Sequence, residues 1–165
     1  MPGDLPTRWV AGKNDQNRMS STHLSLHYHI VFGTKDHAPM IAPEWRQRLH
    51  AWIGGAIRTL GAIPEEIGGV ADHIHMLVGF RATHRLADVM RETKSESSRW
   101  IHETIGVRGF HWQDGYGAFT VSNSQRAVVR RYIQDQEQHH LKRTFRDEYR
   151  AILERCGVEF DPQYL

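Results

Sequence analysis

The sequence predicts an α+β fold in which helices pack on one mostly antiparallel sheet, as in ferredoxin-like proteins. Hydrophobic periodicity alternates between that of a strand and that of a helix, in the order strand, helix, strand, helix, strand, helix, helix. The chain has 165 residues, of which 39% are hydrophobic. This length and composition favour one domain with a buried core.

Composition excludes several classes of protein. The single cysteine, Cys156, excludes a disulfide framework and a cysteine-based zinc site. No apolar run approaches the roughly 20 residues of a membrane span, and residues 1–20 lack the apolar centre of a signal peptide. We therefore expect a soluble, cytoplasmic protein with no membrane partner. The net charge of +2 is too small to indicate nucleic acid by itself, whereas 12 histidines are unusual for this length.

The chain divides into three parts by composition. Residues 1–20 are polar and without periodicity, which is typical of a disordered arm. The folded domain is expected over 21–157 and a C-terminal tail over 158–165. The first strand is predicted at 24–32, where apolar and polar side chains alternate.

Two helices and two strands are predicted next. Pro43 suits the first turn of an amphipathic helix that runs to Leu60. A short strand is expected near 63–67 and a longer one over 70–80. Thr83 is expected to cap a second helix that ends near Ile105.

The last third of the sequence predicts a strand and two helices. Residues 110–122 are typical of a loop or hairpin that leads into the third strand. Ser124 is expected to cap a third helix from Gln125 to about Arg143. A final helix over 145–156 has its apolar residues at helical spacing.

Two histidines on the predicted strand 70–80 are the first candidates for chemistry. Side chains two residues apart leave the same face of a strand, so His73 and His75 lie about 7 Å apart and can converge on one metal ion. Ile74 points to the core, and Asp72 is expected on the Ile74 side as a poorer ligand. The alternative is that both histidines only face solvent or hydrogen-bond within the sheet.

The third helix distinguishes this pair from a second His-x-His pair, His27 and His29. Tyr132 and Gln136 stand one turn apart on one helix face. A glutamine supplies a carbonyl oxygen ligand beside two imidazoles, and a tyrosine supplies a phenolic nucleophile. The alternative is an ordinary amphipathic tyrosine and a solvated glutamine. We assign His27 and His29 to structure, because no Tyr–Gln helix is needed to explain them.

The His-x-His strand followed by a helical Tyr-x-x-x-Gln resembles the HUH single-tyrosine transposases of small insertion sequences. Four other stretches are similar to that family: HYHIVFGTK at 27–35, DHIHMLV at 72–78, SSRWI at 97–101 and WQDGYGAFTVS at 112–122. The resemblance covers about residues 21–156.

The resemblance implies an RRM-like sheet and an enzyme that cuts and rejoins single-stranded DNA without ATP. His73, His75 and Gln136 are then ligands of Mg²⁺ or Mn²⁺. Tyr132 is then the nucleophile that forms a 5′-phosphotyrosyl link and releases a 3′-hydroxyl. The implied partners are DNA hairpins at the ends of an insertion sequence and a second copy of the chain, whose tyrosine helix acts in cis or in trans.

Basic and aromatic side chains are expected to hold the DNA through phosphate contacts and base stacking. This set consists of Lys35, Lys94, Arg126, Arg130, Arg131 and an exposed Trp112, with Phe119 expected in the core. Lys142 and Arg143 extend it, and His139 and His140 are expected to support the metal or to contact phosphates. The alternative for such a charge run is a solvated helix face.

Three other functions stay open. The first is a catalytically inactive RRM-like module that binds single-stranded nucleic acid, although all four proposed site residues are present. The second is a related HUH enzyme of replication or conjugation, which is usually larger. The third is metal-dependent hydrolysis without a covalent step, which has no need of Tyr132.

Overall fold

The structure, a computed structural model, describes residues 22–165, so the expected arm at 1–20 lies outside the described residues. Four strands form one antiparallel sheet in the order β2-β3-β1-β4. Their bounds are Leu26–Gly33 for β1, Ile63–Gly69 for β2, His73–Phe80 for β3 and Gly117–Thr120 for β4. The predicted α+β fold is confirmed.

Within residues 22–165, five helices connect and follow these strands. Their bounds are Pro43–Thr59 for α1, Leu86–Trp100 for α2, Arg126–Gln134 for α3, Gln136–His140 for α4 and Phe145–Arg155 for α5. A π-helical turn, Ile101–Ile105, extends α2. Within the described part of the chain, none of the helices is both long and apolar enough to cross a membrane.

The sheet is buried on both faces, and the two faces have different characters. On one face, alternate β3 residues such as Ile74 and Met76 join the main core with Leu49, Ile53 and Ile57 of α1. Burying each such side chain stabilises the fold by about 1.5–3 kcal/mol. The opposite face carries His73 and His75 and is covered by the helices that follow β4. A polar pair is thereby enclosed within the protein.

Two predicted elements differ from those observed. The strand expected over 70–80 begins only at His73, because residues 70–72 form the turn between β2 and β3, where the Val70 N–H donates to the His73 carbonyl oxygen at 3.2 Å. The helix expected from Gln125 to Arg143 is broken at Asp135, whose φ and ψ of −90° and 15° leave the helical range. Gln136 therefore opens α4 instead of continuing α3.

The two expected N-caps, Thr83 and Ser124, do not cap the helices that are observed. Arg85 precedes α2 in place of Thr83, and Ser124 lies in a 3₁₀ turn before α3; neither helix has a side-chain bond at its N-cap residue. The expected tail at 158–165 is packed on the domain, because Phe160 and Leu165 contact the apolar cluster around α5.

Candidate active site

The two strand histidines are held from outside the site by hydrogen bonds to their Nδ1 atoms. His73 Nδ1 lies 2.6 Å from Asp72 Oδ1, and His75 Nδ1 lies 2.9 Å from His29 Nε2. Both His73 and His75 are fully buried. Their Nε2 atoms therefore point to a common interior space. This arrangement excludes the alternative that the pair faces solvent.

Asp72 was expected with Ile74 on the other face, and that expectation is wrong. The strand alternation starts at His73, so it does not govern the residue before it. A hydrogen bond that the ring N–H donates to a carboxylate fixes the orientation and tautomer of a ligating imidazole. From the sequence, His29 was expected to have only a structural role. It lies behind His75 as Asp72 lies behind His73.

Helices α3 and α4 bring Tyr132 and Gln136 to the same space. Gln136 Oε1 lies 3.0 Å from His73 Nε2, and the Gln136 side chain is 1% exposed. The Tyr132 ring stands edge-on to the His75 ring, with centroids 5.7 Å apart. The four residues predicted from the sequence are therefore neighbours within one chain, and the alternative of a solvated glutamine is wrong.

Helix α3 is fixed to the sheet by a close approach and by ion pairs. A Cβ on Gly68 would lie 2.5 Å from the Ile133 carbonyl oxygen, so only glycine permits this contact. Glu65 Oε2 accepts hydrogen bonds of 2.9 Å from both Arg126 and Arg130. These contacts hold Tyr132 over the sheet of its own chain.

Glu148 of α5 lies at the centre of the site, and sequence reasoning missed it. Its Oε2 atom is 2.7 Å from His140 Nε2 and 3.4 Å from each Nε2 of His73 and His75. Its Oε1 atom accepts a 2.9 Å hydrogen bond from Gln136 Nε2 and a further one from the Tyr132 hydroxyl. The only sequence signal was an acid on the apolar stripe of α5, between Phe145 and Ile152.

Burial and the carboxylates set the charges of these groups. Burial lowers the pKa of His75 to about 4. Burial and the neighbouring His75 lower the pKa of His29 to about 3. Both rings are therefore neutral at pH 7. Burial would also lower the pKa of His73, but hydrogen bonds to Asp72 and Glu148 outweigh it and raise that pKa.

The pKa values of Glu148 and Tyr132 shift in opposite directions. Burial disfavours the Glu148 carboxylate, but the hydrogen bond with His140 and the nearby His73 and His75 rings outweigh burial and hold its pKa well below the usual range. Burial and the Glu148 carboxylate raise the pKa of Tyr132. In this arrangement Tyr132 is a neutral phenol that donates to an anion.

The donor atoms fit a divalent cation. Within residues 22–165, His75 Nε2 is a buried nitrogen with no hydrogen-bond partner. Ligands that share an ion at about 2.1 Å lie about 3 Å apart, close to the 3.0–3.4 Å that separates His73 Nε2 from Gln136 Oε1 and from Glu148 Oε2. Ligand atoms of His73, His140 and Glu148 also lie within 4.8 Å of one another. The carboxylate and amide oxygens in this set are ligands suited to Mn²⁺ or Mg²⁺.

A cavity of about 530 Å³ opens beside Tyr132 and Glu148. Its basic lining consists of His139, His140, Lys142, Arg143 and Arg155. A polyanion that enters this cavity meets both Tyr132 and basic side chains.

Several side chains expected to contact DNA have partners inside the protein. Arg126 and Arg130 are paired with Glu65. Lys94 is half-buried, where burial lowers its pKa, and its Nζ donates to the carbonyl oxygens of Gln113 and Gly115. Lys35 and Arg131 are exposed and stay candidates for phosphate contacts.

Trp112 was expected to be exposed, and this is wrong. Its side chain is buried against Phe32 and Phe110, and its indole N–H donates to Ser97 Oγ at 2.9 Å. The apolar ring and its one donor are both satisfied in the core, so no face is open to a base. Phe119 is buried, as expected.

The fold and the site together define a class: a ferredoxin-like domain with a buried histidine pair on a central strand and a tyrosine from a following helix. A family described as "Transposase IS200 like" matches residues 22–136. The chain belongs to this family.

Individual relatives agree with this assignment. The chain is similar to the transposases for insertion sequence element IS200 of Salmonella typhimurium and Salmonella typhi. Each match is 28% identical over 139 residues, covering 74% of this chain and 84% of the relative.

Solved structures agree on the fold. A transposase candidate from Deinococcus radiodurans R1 superposes with a TM-score of 0.56 at 21% identity, covering 72% of this chain and 97% of the other. A REP-associated tyrosine transposase bound to a REP hairpin superposes with a TM-score of 0.55 at 14% identity, covering 74% of each chain.

Proposed function

We propose that this protein cuts and rejoins single-stranded DNA through a covalent link to Tyr132. The observation that carries the proposal is the contact of the Tyr132 hydroxyl with a buried group formed by His73, His75 and Gln136 around Glu148. A covalent nucleophile placed beside a polar centre that fits a cation is the arrangement that phosphoryl transfer needs. An inactive binding module has no use for such an enclosed set.

In the proposed reaction, the Tyr132 oxygen attacks the scissile phosphorus and the 3′-oxygen leaves as a 3′-hydroxyl. The product is a 5′-phosphotyrosyl link, and a free 3′-hydroxyl then attacks that link, which restores Tyr132. His73, His75 and Gln136 would hold Mg²⁺ or Mn²⁺, which would supply polarisation of the phosphate and favour the ionised phenol. Because the link conserves the phosphodiester bond energy, no nucleotide cofactor is required.

The expected DNA partner has hairpin ends, and the REP hairpin held by one structural neighbour supports this choice. The basic lining of the cavity beside Tyr132 would hold the scissile phosphate. Lys35 and Arg131 would contact the flanking backbone. We retain the cytoplasmic location and the homodimer as parts of the proposal, although each chain contains a complete set of site residues.

Covalent capture tests the proposal. Single-stranded DNA from the flanks of the gene is incubated with Mn²⁺ and wild-type protein, and a protease-sensitive adduct is sought on a denaturing gel. Tyr132→Phe should abolish the adduct and leave DNA binding on a native gel unchanged. Tyr116→Phe, at an exposed tyrosine outside the site, is the matched control and should retain the adduct.

An adduct that persists in Tyr132→Phe would show that another group is the nucleophile. Cleavage by the wild type without any adduct would favour hydrolysis. Retained DNA binding without cleavage or adduct, on DNA that contains the element's own ends, would favour the inactive binding module.

A further inference from the structure

We propose that Glu148 is an anionic ligand of the metal centre, supplied by helix α5. The inference rests on the proposed function, since it takes His73 and His75 to hold the ion. The family match ends at residue 136, so Glu148 lies outside the segment by which the chain is assigned to its family. The centre then contains two imidazole nitrogens, the Gln136 oxygen and a carboxylate.

Distances place Glu148 with the ligands rather than behind them. Its Oε2 atom lies 3.4 Å from both His73 Nε2 and His75 Nε2, the nitrogens on the interior side of each ring. The outer nitrogens are occupied by Asp72 and His29. A carboxylate oxygen and two imidazole nitrogens at this separation share one cation without displacement of the backbone.

The pairing of His75 with Glu148 is incomplete without a cation. His75 Nδ1 lies 2.9 Å from His29 Nε2, so the two nitrogens share one proton, and His75 Nε2 is a buried nitrogen without a hydrogen-bond partner among the described residues. If His75 keeps that proton on Nδ1, its Nε2 presents a lone pair to the Glu148 carboxylate. Two electron pairs then face each other in a buried space, which is costly unless a positive charge lies between them.

The surroundings of Glu148 fix its position. Its side chain is only 6% exposed. Phe145, one turn earlier, stacks on the His73 ring with centroids 4.2 Å apart, and Ile152, one turn later, is in the apolar core. His140 Nε2 bonds to the same carboxylate at 2.7 Å and supports it from the solvent side. A carboxylate ordered in this way is a preorganised ligand.

An anionic ligand changes which ions the site prefers. Two imidazoles and an amide are neutral, so without Glu148 no ligand carries a negative charge to offset the two positive charges of the ion. A carboxylate oxygen supplies a negative charge and favours hard ions such as Mg²⁺ and Mn²⁺. Removing the charge should therefore weaken the binding of Mg²⁺ and Mn²⁺ more than the binding of Zn²⁺.

Metal titration of the full chain tests the assignment without any DNA. Mn²⁺ binding is followed by the loss of the free-ion signal in electron paramagnetic resonance. Glu148→Gln keeps the size and one oxygen of the side chain, and we expect it to weaken Mn²⁺ binding at least tenfold. Glu154→Gln makes the same change at an exposed position of α5 and should stay within twofold of the wild type.

Pulsed resonance spectra separate a lost ligand from a lost fold. Histidine nitrogen couplings to Mn²⁺ should persist in Glu148→Gln at saturating ion, because His73 and His75 stay in place. Unchanged Mn²⁺ affinity in Glu148→Gln would overturn the assignment. Tighter binding would also overturn it, since Glu148 would then compete with the ion. Absence of Mn²⁺ binding by the wild type would overturn the centre as a whole.

The proposed function and the assignment of Glu148 as a ligand can fail independently of each other. If the wild type binds Mn²⁺ through Glu148 but forms no adduct with DNA, the ligand assignment stands and the transposase mechanism falls. If the Tyr132 adduct forms and Glu148→Gln binds Mn²⁺ normally, the mechanism stands and Glu148 only orders its neighbours.

Discussion

Asp72 illustrates control of a ligand by a residue outside the ligand set. It holds His73 Nδ1 at 2.6 Å and so directs Nε2 inward. Asp72→Asn removes the charge behind the ring, and loss of such a partner usually weakens metal binding 10- to 100-fold. We expect at least about tenfold weaker Mn²⁺ binding by calorimetry. Asp114→Asn, at an exposed loop position, should have no effect; equal affinities for the two variants would contradict the assigned role.

His50 gives a prediction about pH that is independent of the site. It is buried in α1, where desolvation and nearby Arg46 lower its pKa to about 4 from a usual value near 6.5. The unfolded chain protonates His50 below pH 6.5 and the folded chain does not until about pH 4. The stability contributed by the neutral form is therefore complete above pH 6.5 and is lost as the pH falls to 4.

This loss amounts to on the order of 3 kcal/mol. His50→Leu should flatten the fall in the free energy of unfolding between pH 6.5 and 4, measured by urea denaturation. His111→Leu, at an exposed histidine, should leave the profile as in the wild type. Parallel profiles for the wild type and His50→Leu would show that His50 is not the titrating group.

Single residues were predictable where spacing determines geometry and not where packing does. The face shared by His73 and His75 followed from strand alternation. The burial of Trp112 could not be predicted from its neighbouring glycines, because its partners Phe32 and Ser97 come from distant parts of the chain. Glu148 was missed because its partners lie on β3, α3 and α4, and no local pattern shows them.

At the scale of elements, the contact between β2 and α3 positions the nucleophile. Gly68→Ala would place a methyl group 2.5 Å from the Ile133 carbonyl, so α3 must move away. We expect a loss of about 2 kcal/mol in unfolding free energy and a larger relative loss of adduct formation. Gly55→Ala, in α1 with open space around it, should gain about 1 kcal/mol and keep activity.

Two measurements separate the effect on stability from the effect on activity. Thermal unfolding reports the first, and adduct yield at a temperature where both variants are folded reports the second. A Gly68→Ala protein that is less stable but fully active would show that the position of α3 tolerates the shift.

The break between α3 and α4 at Asp135 is also a feature of the elements. It was not predictable because residues 126–143 contain no glycine or proline to mark a break, whereas the change in direction serves the contact between Gln136 and His73.

For the whole molecule, the order of elements was predictable and the assignment of their faces was not. Alternating periods predict one sheet with helices, but they do not say that α1 and α2 cover one face while α3, α4 and α5 cover the other. That division encloses the histidine pair. It also places the tyrosine helix on the sheet of its own chain, which the sequence left open.

The last prediction concerns this placement. Tyr132 contacts His75 and Glu148 of the same chain, and Glu65 ties α3 to β2 through Arg126. A mixture of His73→Ala and Tyr132→Phe proteins should therefore form no adduct with DNA, because neither chain has both an intact metal centre and a nucleophile. Wild type diluted with either variant should retain adduct in proportion to the wild-type fraction.

Exchange of the tyrosine helix between subunits makes the opposite prediction. A mixed dimer would then contain one site with both His73 and Tyr132 intact, and an adduct would appear in the mixture of two inactive proteins. The attached chain identifies itself, since only the His73→Ala protein still has the tyrosine. Tagging that protein with a different mass makes the result unambiguous on the same gel. The ion pairs of Glu65 lead us to expect no such band.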